Sequence, residues 1–419
     1  MILHPAQNPR RQGSVLIVTV CITAIIGLAL TTYLTLASNQ NQLTAHSQVW
    51  NSAMPVVEAG IEEALTHLSR NYITNMETSG WVLSGGQYVK SNSIGDGNYQ
   101  VTISQSLPYK VVSTGYAPMP GSSTYVSRSV QVTTQNQNAF TGALIMESTI
   151  NLNGNNVATD SYDPRDPKKS TNGVYDPAKA GDKGDITCAS GMFNVGNANI
   201  WGHALTGPGV TPTTGPNGAI GSVAWNQAGM SGIQPGWVQN DFNVSFPDVQ
   251  APFIAATPPA SGSYNGTNYA TVLGNGNYLS SSLGGKVLVT GNATLYVTGN
   301  ILFNNGDFLQ IVPGASLRLY VGGASASFQT IVNPNTGAAS FLYFGLPTNT
   351  SISMSGTSDL TGAIYAPEAS VTLTGSAEIF GAVMAKATSM QGNAAVHYDE
   401  SLASIPPTRG FIVNSWNEL

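Results

Sequence analysis

The feature that most constrains this chain is an uncharged run from Ser14 to Ala37, reading SVLIVTVCITAIIGLALTTYLTLA. As a helix it spans about 36 Å at ~1.5 Å per residue, more than the ~30 Å hydrocarbon core of a bilayer. A Sec signal peptide has a shorter apolar region, roughly 7–15 residues, closed by a small-x-small site. Leu36-Ala37-Ser38 keeps that second reading open, but the length of the run favours a transmembrane helix over residues 14–37. Arg10 and Arg11 precede the run, and no Asp or Glu occurs before Glu58. By the positive-inside tendency the N-terminus is cytoplasmic, and everything after Ala37 lies outside.

Helical patterning continues past the apolar run. Val57, Ile61, Leu65 and Leu68 recur at the spacing of one helix face, with Glu58, Glu62 and Glu63 on the others. An amphipathic helix over residues 38–70 is therefore expected. Pro55 is expected either to bend a continuous rod or to sit in a loop between two helices.

The basic leader ends in Gly13, is followed by the small Ser14 and the apolar run, and leads to Val57-Glu58-Ala59-Gly60-Ile61-Glu62-Glu63-Ala64-Leu65. From the N-terminus to about Arg70, this arrangement resembles the start of type IV pilin-like proteins, especially PilX-type minor pilins. The resemblance implies a leader of residues 1–13, cut by a prepilin peptidase between Gly13 and Ser14. It also implies a helix that anchors the subunit in the inner membrane and packs in a filament core. Val18 stands at the fifth mature position, where most pilins carry a glutamate. A charge buried in an apolar bundle needs a partner, so its absence removes a docking contact and suits a minor subunit better than a repeating one.

Residues 71–135 read as a small antiparallel sheet, the head that the resemblance implies. Tyr99, Val101 and Ile103 alternate with Gln100 and Thr102, and Val130 and Val132 alternate with Gln131 and Thr133. Tyr109 to Tyr116 supplies a further strand between them.

The remaining two thirds changes character. Helical periodicity fades from residue 136, and Asn-Gly turns recur at Asn153, Asn172, Asn217, Asn265, Asn275 and Asn305. A G-x5-G unit followed by a small residue or His and two apolar-leaning positions occurs at Gly196–Gly202, Gly356–Gly362 and Gly375–Gly381. Laying Gly375 on Gly356 superposes Ile379 on Leu360 and Val383 on Ile364. Stacked short strands with glycine at each corner are what a β-solenoid needs, because each coil buries its apolar face only against its neighbours. The fold class expected is α+β, mainly β: a long N-terminal helix with a small sheet, a β-solenoid over 136–405, and a tail over 406–419. A Gly-rich β-sandwich remains the alternative. Three segments, Asn155 to Asp163, Thr361 to Pro367 and His397 to Leu402, resemble the uncharacterised β-helical domain attached to pilin-like N-termini in bacterial envelope proteins, and more distantly bactofilin-like solenoids. That resemblance brings no catalytic residues.

Only 9% of residues are charged and the net charge is -6, so no basic face is available for a nucleic acid. Between Ala189 and Ala366 the only charges are Asp241, Asp248, Lys286, Asp307, Arg318 and Asp359, too sparse in sequence to nominate the spaced carboxylate pair of a glycosidase. Asp160, Asp163, Asp166, Asp176, Asp182 and Asp185 cluster among Arg165, Lys168, Lys169, Lys179 and Lys183, off the spacing of a calcium loop, and read as a solvated insertion. His203 and His397 lack the companions of a metal site and are expected to cap polar corners. Cys21 and Cys188 are expected to be free thiols. No cofactor, metal or catalytic residue is expected. Trp201, Trp225 and Trp237, with Tyr264, Tyr269 and Tyr278, are the candidates for stacking on a glycan; the alternative is that they fill or cover the domain. The expected role is a non-enzymatic, inner-membrane-anchored component of a type IV pilus-like or secretion-like system, partnered by other pilin-like subunits and the assembly machinery. A membrane-tethered carbohydrate-binding or adhesive module stands second, with surface glycans as partner, and a polysaccharide enzyme third.

Overall fold

The computed structural model describes the chain except residues 1–11, 72, 137–139, 155, 241, 243–245, 357–358 and 405–410. The expected leader thus falls largely outside the described residues. Two compact units emerge, one of residues 1–135 with 411–419, the other of residues 136–410.

The first unit is built on one helix, α1, Gln12–Asn71, 60 residues long and unbroken through Pro55. Residues 15–36 are exposed throughout, among them 13 large apolar side chains from Val15 to Leu36. An apolar surface of that size is stable only in an apolar medium or against other chains. The stretch is long and apolar enough to cross a membrane.

Further along, one stripe of the helix turns inward. Val57, Ile61, Ala64 and Leu68 are buried, whereas Glu58 and Glu62 stay exposed and Leu65 is only partly covered. They pack on an antiparallel sheet of β1 (Val82–Ser84), β2 (Gln87–Ile94), β3 (Gly97–Ser104), β4 (Lys110–Pro118) and β5 (Tyr125–Asn136), in that order. As the alternation predicts, Tyr99, Val101, Ile103, Val130 and Val132 face the helix. Gly115 sets the closeness of the packing: a Cβ there would stand 2.8 Å from Val57 N and 2.9 Å from Ala53 O. The segment expected to be a tail forms instead a sixth strand, Phe411–Glu418, at the edge beside β5. Arg128 pairs with Glu418 there at 2.8 Å, and Phe411 closes the core against Tyr109.

Alongside one antiparallel hairpin of residues 260–264 and 267–273, the second unit consists mostly of parallel ladders. One runs through 276–280, 292–297, 316–321, 341–345 and 363–365, and continues through 382–385, 144–146, 186–188, 204–206 and 238–239. The order is not that of the chain. The later sequence, from residue 276 to 399, lays down the first rungs, and β6 (Leu144–Leu152) and β7 (Ala158–Tyr162) stack on its last strands. A buried apolar column crosses the junction without a break: Leu295, Leu319, Tyr343, Ile364, Val383, Leu144, Ile186, Ala204. Phe242 and residues 246–259 run back along the stack. Phe242 N donates to Thr206 O at 3.0 Å, Tyr365 Oη donates to Pro247 O at 2.7 Å, Val249 is buried, and Phe253 meets Tyr296 edge-on.

The repeat read from the glycines is realised in the register, with Leu360 opposite Ile379 and Ile364 opposite Val383 in Asp359–Leu373 and Glu378–Met390. Of the glycines expected at corners, Gly196, Gly356 and Gly375 adopt left-handed φ of 57°, 84° and 82°. Gly362 and Gly381 instead pair with each other inside these two strands, and Gly202 falls between Asn199–Trp201 and Ala204–Thr206. At those positions the strands above and below approach too closely for a side chain, since a Cβ on Gly202 would stand 2.5 Å from Gly184 C.

Candidate functional site

The parallel ladder brings together residues that the sequence holds far apart. Thr361, Phe380, His397 and Asp160 occupy one column, paired rung to rung from Asp359–Leu373 through Glu378–Met390 and Ala395–Asp399 to β7. His397 Nδ1 lies 2.7 Å from Asp160 Oδ1, although 237 positions separate them. The His397 ring meets Phe380, centroids 5.0 Å apart, and Tyr175, 3.9 Å apart, and those two rings also meet each other at 5.6 Å. Tyr175 Oη donates to Asp160 Oδ2 at 2.6 Å, and Glu378 Oε2 stands 3.9 Å from His397 Nε2. Burial, then the Asp160 charge, raises the Tyr175 hydroxyl well above its ordinary value, so it stays a donor.

Tyr175 comes from the acidic segment expected to be a solvated insertion, in which only Ser170 is fully buried between Asp163 and Lys183. Its carboxylates divide among separate partners: Asp163 pairs with Arg165, Asp176 caps the short turn Pro177–Lys179 and accepts from Thr171, and Asp185 accepts from the backbone and ring of His203. Two cations converge on one largely buried carboxylate, Lys169 and Lys183 reaching Glu400 at 2.7 and 3.0 Å. Burial opposes ionisation of Glu400, but these two lysines outweigh it and hold its carboxyl below the usual range. Asp399 next to it accepts from Ala338 N and Ser401 N, and burial raises it. Among the described residues, no group of three or more His, Cys, Asp or Glu is arranged to hold a metal. The segment turns at Asn172-Gly173, whose φ values of 54° and 79° are those of a type I′ turn, and a Thr171–Val174 bridge closes it. Beside it, between Tyr175, Phe380 and the Asn333–Thr336 turn, lies a cleft of about 180 Å³.

The candidate glycan aromatics do not form one platform. Trp237 stacks flat on His203 at 4.2 Å; Trp201 pairs across the ladder with Gly221, and Trp225 lies in the short helix Val223–Gln227 with its ring against Gly221. All three are half-buried. Tyr269 is buried and donates to Gln310 at 2.7 Å. Both cysteines are free, Cys21 exposed and Cys188 buried. Gly13 and Ser14 lie in the first turn of α1.

Residues 259–405 match the model of a family described as a domain of unknown function, DUF7305. Those residues are the part of the second unit that supplies the first rungs of the ladders and ends just after Ala395–Asp399. No curated protein matches the chain. Among solved structures, the competence-associated pilin ComZ from Thermus thermophilus is similar at 14% identity, over 88% of this chain and 97% of that one, with a TM-score of 0.23. At that score the two chains do not superpose as wholes.

Proposed function

We propose that this chain is a non-enzymatic, membrane-anchored subunit of a type IV pilus-like or secretion-like envelope system, of the minor, PilX-like kind. The observation that carries the reading is α1: one continuous 60-residue helix whose first half is apolar and uncovered and whose second half is the spine of an antiparallel head. A soluble protein has no use for 13 uncovered apolar side chains on one helix, whereas a subunit held in a bilayer and then in a bundle uses them in both settings. Gly13-Ser14 at its start fits prepilin processing, and Val18 fits a subunit needed in few copies. Arg10 and Arg11 favour a cytoplasmic N-terminus with both units outside the inner membrane. The second unit is read as a β-solenoid, supported by parallel ladders in which apolar residues stack on apolar residues through successive rungs.

The test is the mass of the mature protein. Cleavage between Gly13 and Ser14 with retention in the membrane fraction is expected, and Gly13→Leu should leave the leader in place. A mature N-terminus near Ser38, or abundance in sheared filaments equal to that of the major subunit, would overturn the proposal.

A further inference from the structure

The cleft between the Asn172-Gly173 hairpin and the Asn333–Thr336 turn has a lining that nothing in the anchoring role uses. Its walls are three aromatic rings, Tyr162, Tyr175 and Phe380, and its remaining polar lining is neutral, including Asn335, Thr336 and Thr361. The charged groups nearby stand outside the lining: Asp160, Glu378 and His397 are engaged with one another and with Tyr175, and Asp399, whose charge reaches Tyr162, accepts from Ala338 N and Ser401 N.

The lining carries hydroxyls as well as rings. Tyr162 is only 1% exposed and lines the cleft, while Asp160, Tyr175 and His397 beside it are bonded to one another. A hydroxyl that lines a cleft is positioned to pair with a polar group that enters it. Thr336, exposed, and Thr361, half-buried, line the cleft as well.

The walls are also fixed beforehand. Asn333 Nδ2 donates to Thr361 O at 2.6 Å and Ser340 Oγ at 2.8 Å, and Asn335 Nδ2 donates to Asn333 Oδ1 at 2.9 Å. On the other side Tyr175 is pinned by Asp160 and His397, and Gly173 packs close to Thr336, where a Cβ would come within 3.1 Å. A preformed site loses little entropy when it is filled.

We propose that this cleft binds a single neutral sugar ring, such as the terminal hexose or N-acetylhexosamine of a surface glycan. A pyranose has an apolar C–H face that packs on aromatic rings and a rim of hydroxyls that pair with neutral donors and acceptors. At about 180 Å³ the space suits one ring. A wall without a charged side chain gives no reason to prefer an acidic sugar.

The test uses the full chain in a sugar-free detergent, with saturation-transfer NMR and titration against glucose, galactose, mannose, N-acetylglucosamine, N-acetylgalactosamine and galacturonate. Saturable millimolar binding of at least one neutral sugar is expected, with galacturonate weaker. Tyr162→Phe should weaken it about tenfold without lowering Tm, the loss of one hydrogen bond to the ligand. Thr336→Trp, at an exposed rim position, should abolish it with the fold intact by circular dichroism. No saturable binding of any neutral sugar, equal binding of galacturonate, or binding unchanged in both variants would overturn the proposal. None of these outcomes bears on leader cleavage or membrane retention.

Discussion

At the scale of residues, the informative positions are those where one atom more or one charge fewer changes the outcome. Gly115 lies against the backbone of α1, so Gly115→Val forces Val57 and Ala53 away from β4. The expected cost is about 1–3 kcal/mol, read by thermal unfolding of the first unit. Glu63 is a second such position, half-buried, bonded to Lys90 at 2.7 Å and to Tyr99 Oη at 2.7 Å. Burial would raise its carboxyl, but those bonds outweigh it and the folded value lies below the ordinary 4.5. A depressed folded value means that this group's stabilisation is complete above the ordinary glutamate range and is lost as pH falls through the lower folded value. Glu63→Gln should therefore lower Tm at pH 7 and flatten the acid limb of the Tm-against-pH curve. An unchanged acid limb would show that the pair contributes nothing there.

Elements test the ladder and the loop. Leu144 lies at the junction where β6 stacks on Glu378–Met390, fully buried opposite Val383. Leu144→Ala should cost about 2–5 kcal/mol, the range for a buried leucine whose cavity does not collapse. If denaturant unfolding shows a loss below about 1 kcal/mol, roughly that of an exposed site, the junction is not packed as described. In the loop, removing both cations from Glu400 by Lys169→Ala with Lys183→Ala leaves a largely buried carboxylate unpaired. Both lysines are partly exposed, so the expected loss is modest, about 1–3 kcal/mol, and shrinks as pH falls and Glu400 protonates. Much of these elements was legible beforehand: the alternation in β3 and β5, and the apolar stripe of α1, are set by local geometry that repeats every two or 3.6 residues. The loop was not, because Glu400 lies 231 positions from Lys169 and His397 lies 237 positions from Asp160. Its own charge pattern resembles an ordinary solvated face.

For the whole molecule, the two units have cores that share no residue, one around Val57, Ile61 and Val101, the other around Leu144, Ile364 and Val383. Differential scanning calorimetry should resolve two transitions, with Gly115→Val lowering only one and Leu144→Ala only the other. A single transition moved by both variants would refute independent cores. The apolar run, the amphipathic helix, the small sheet and the glycine-marked repeat all follow from patterns between near neighbours, which is why they can be read from the chain. The order of the rungs cannot. A parallel ladder bonds whichever strand lies next in space and is indifferent to where in the chain it came from, so β6 and β7 cap strands that come near the end of the sequence. The same stacking assembles Phe380, His397 and Asp160, and with them the cleft, from segments whose own sequences show no shared period. His397 lies opposite Phe380 in a rung that keeps one corner glycine, Gly392 over Gly375, but has Tyr398 where Gly381 stands and is off the step that carries Leu360 to Ile379, so the repeat is only half legible there. The fate of residues 411–418 was equally hidden, since a short segment with polar interruptions becomes a strand only when β5 offers an open edge.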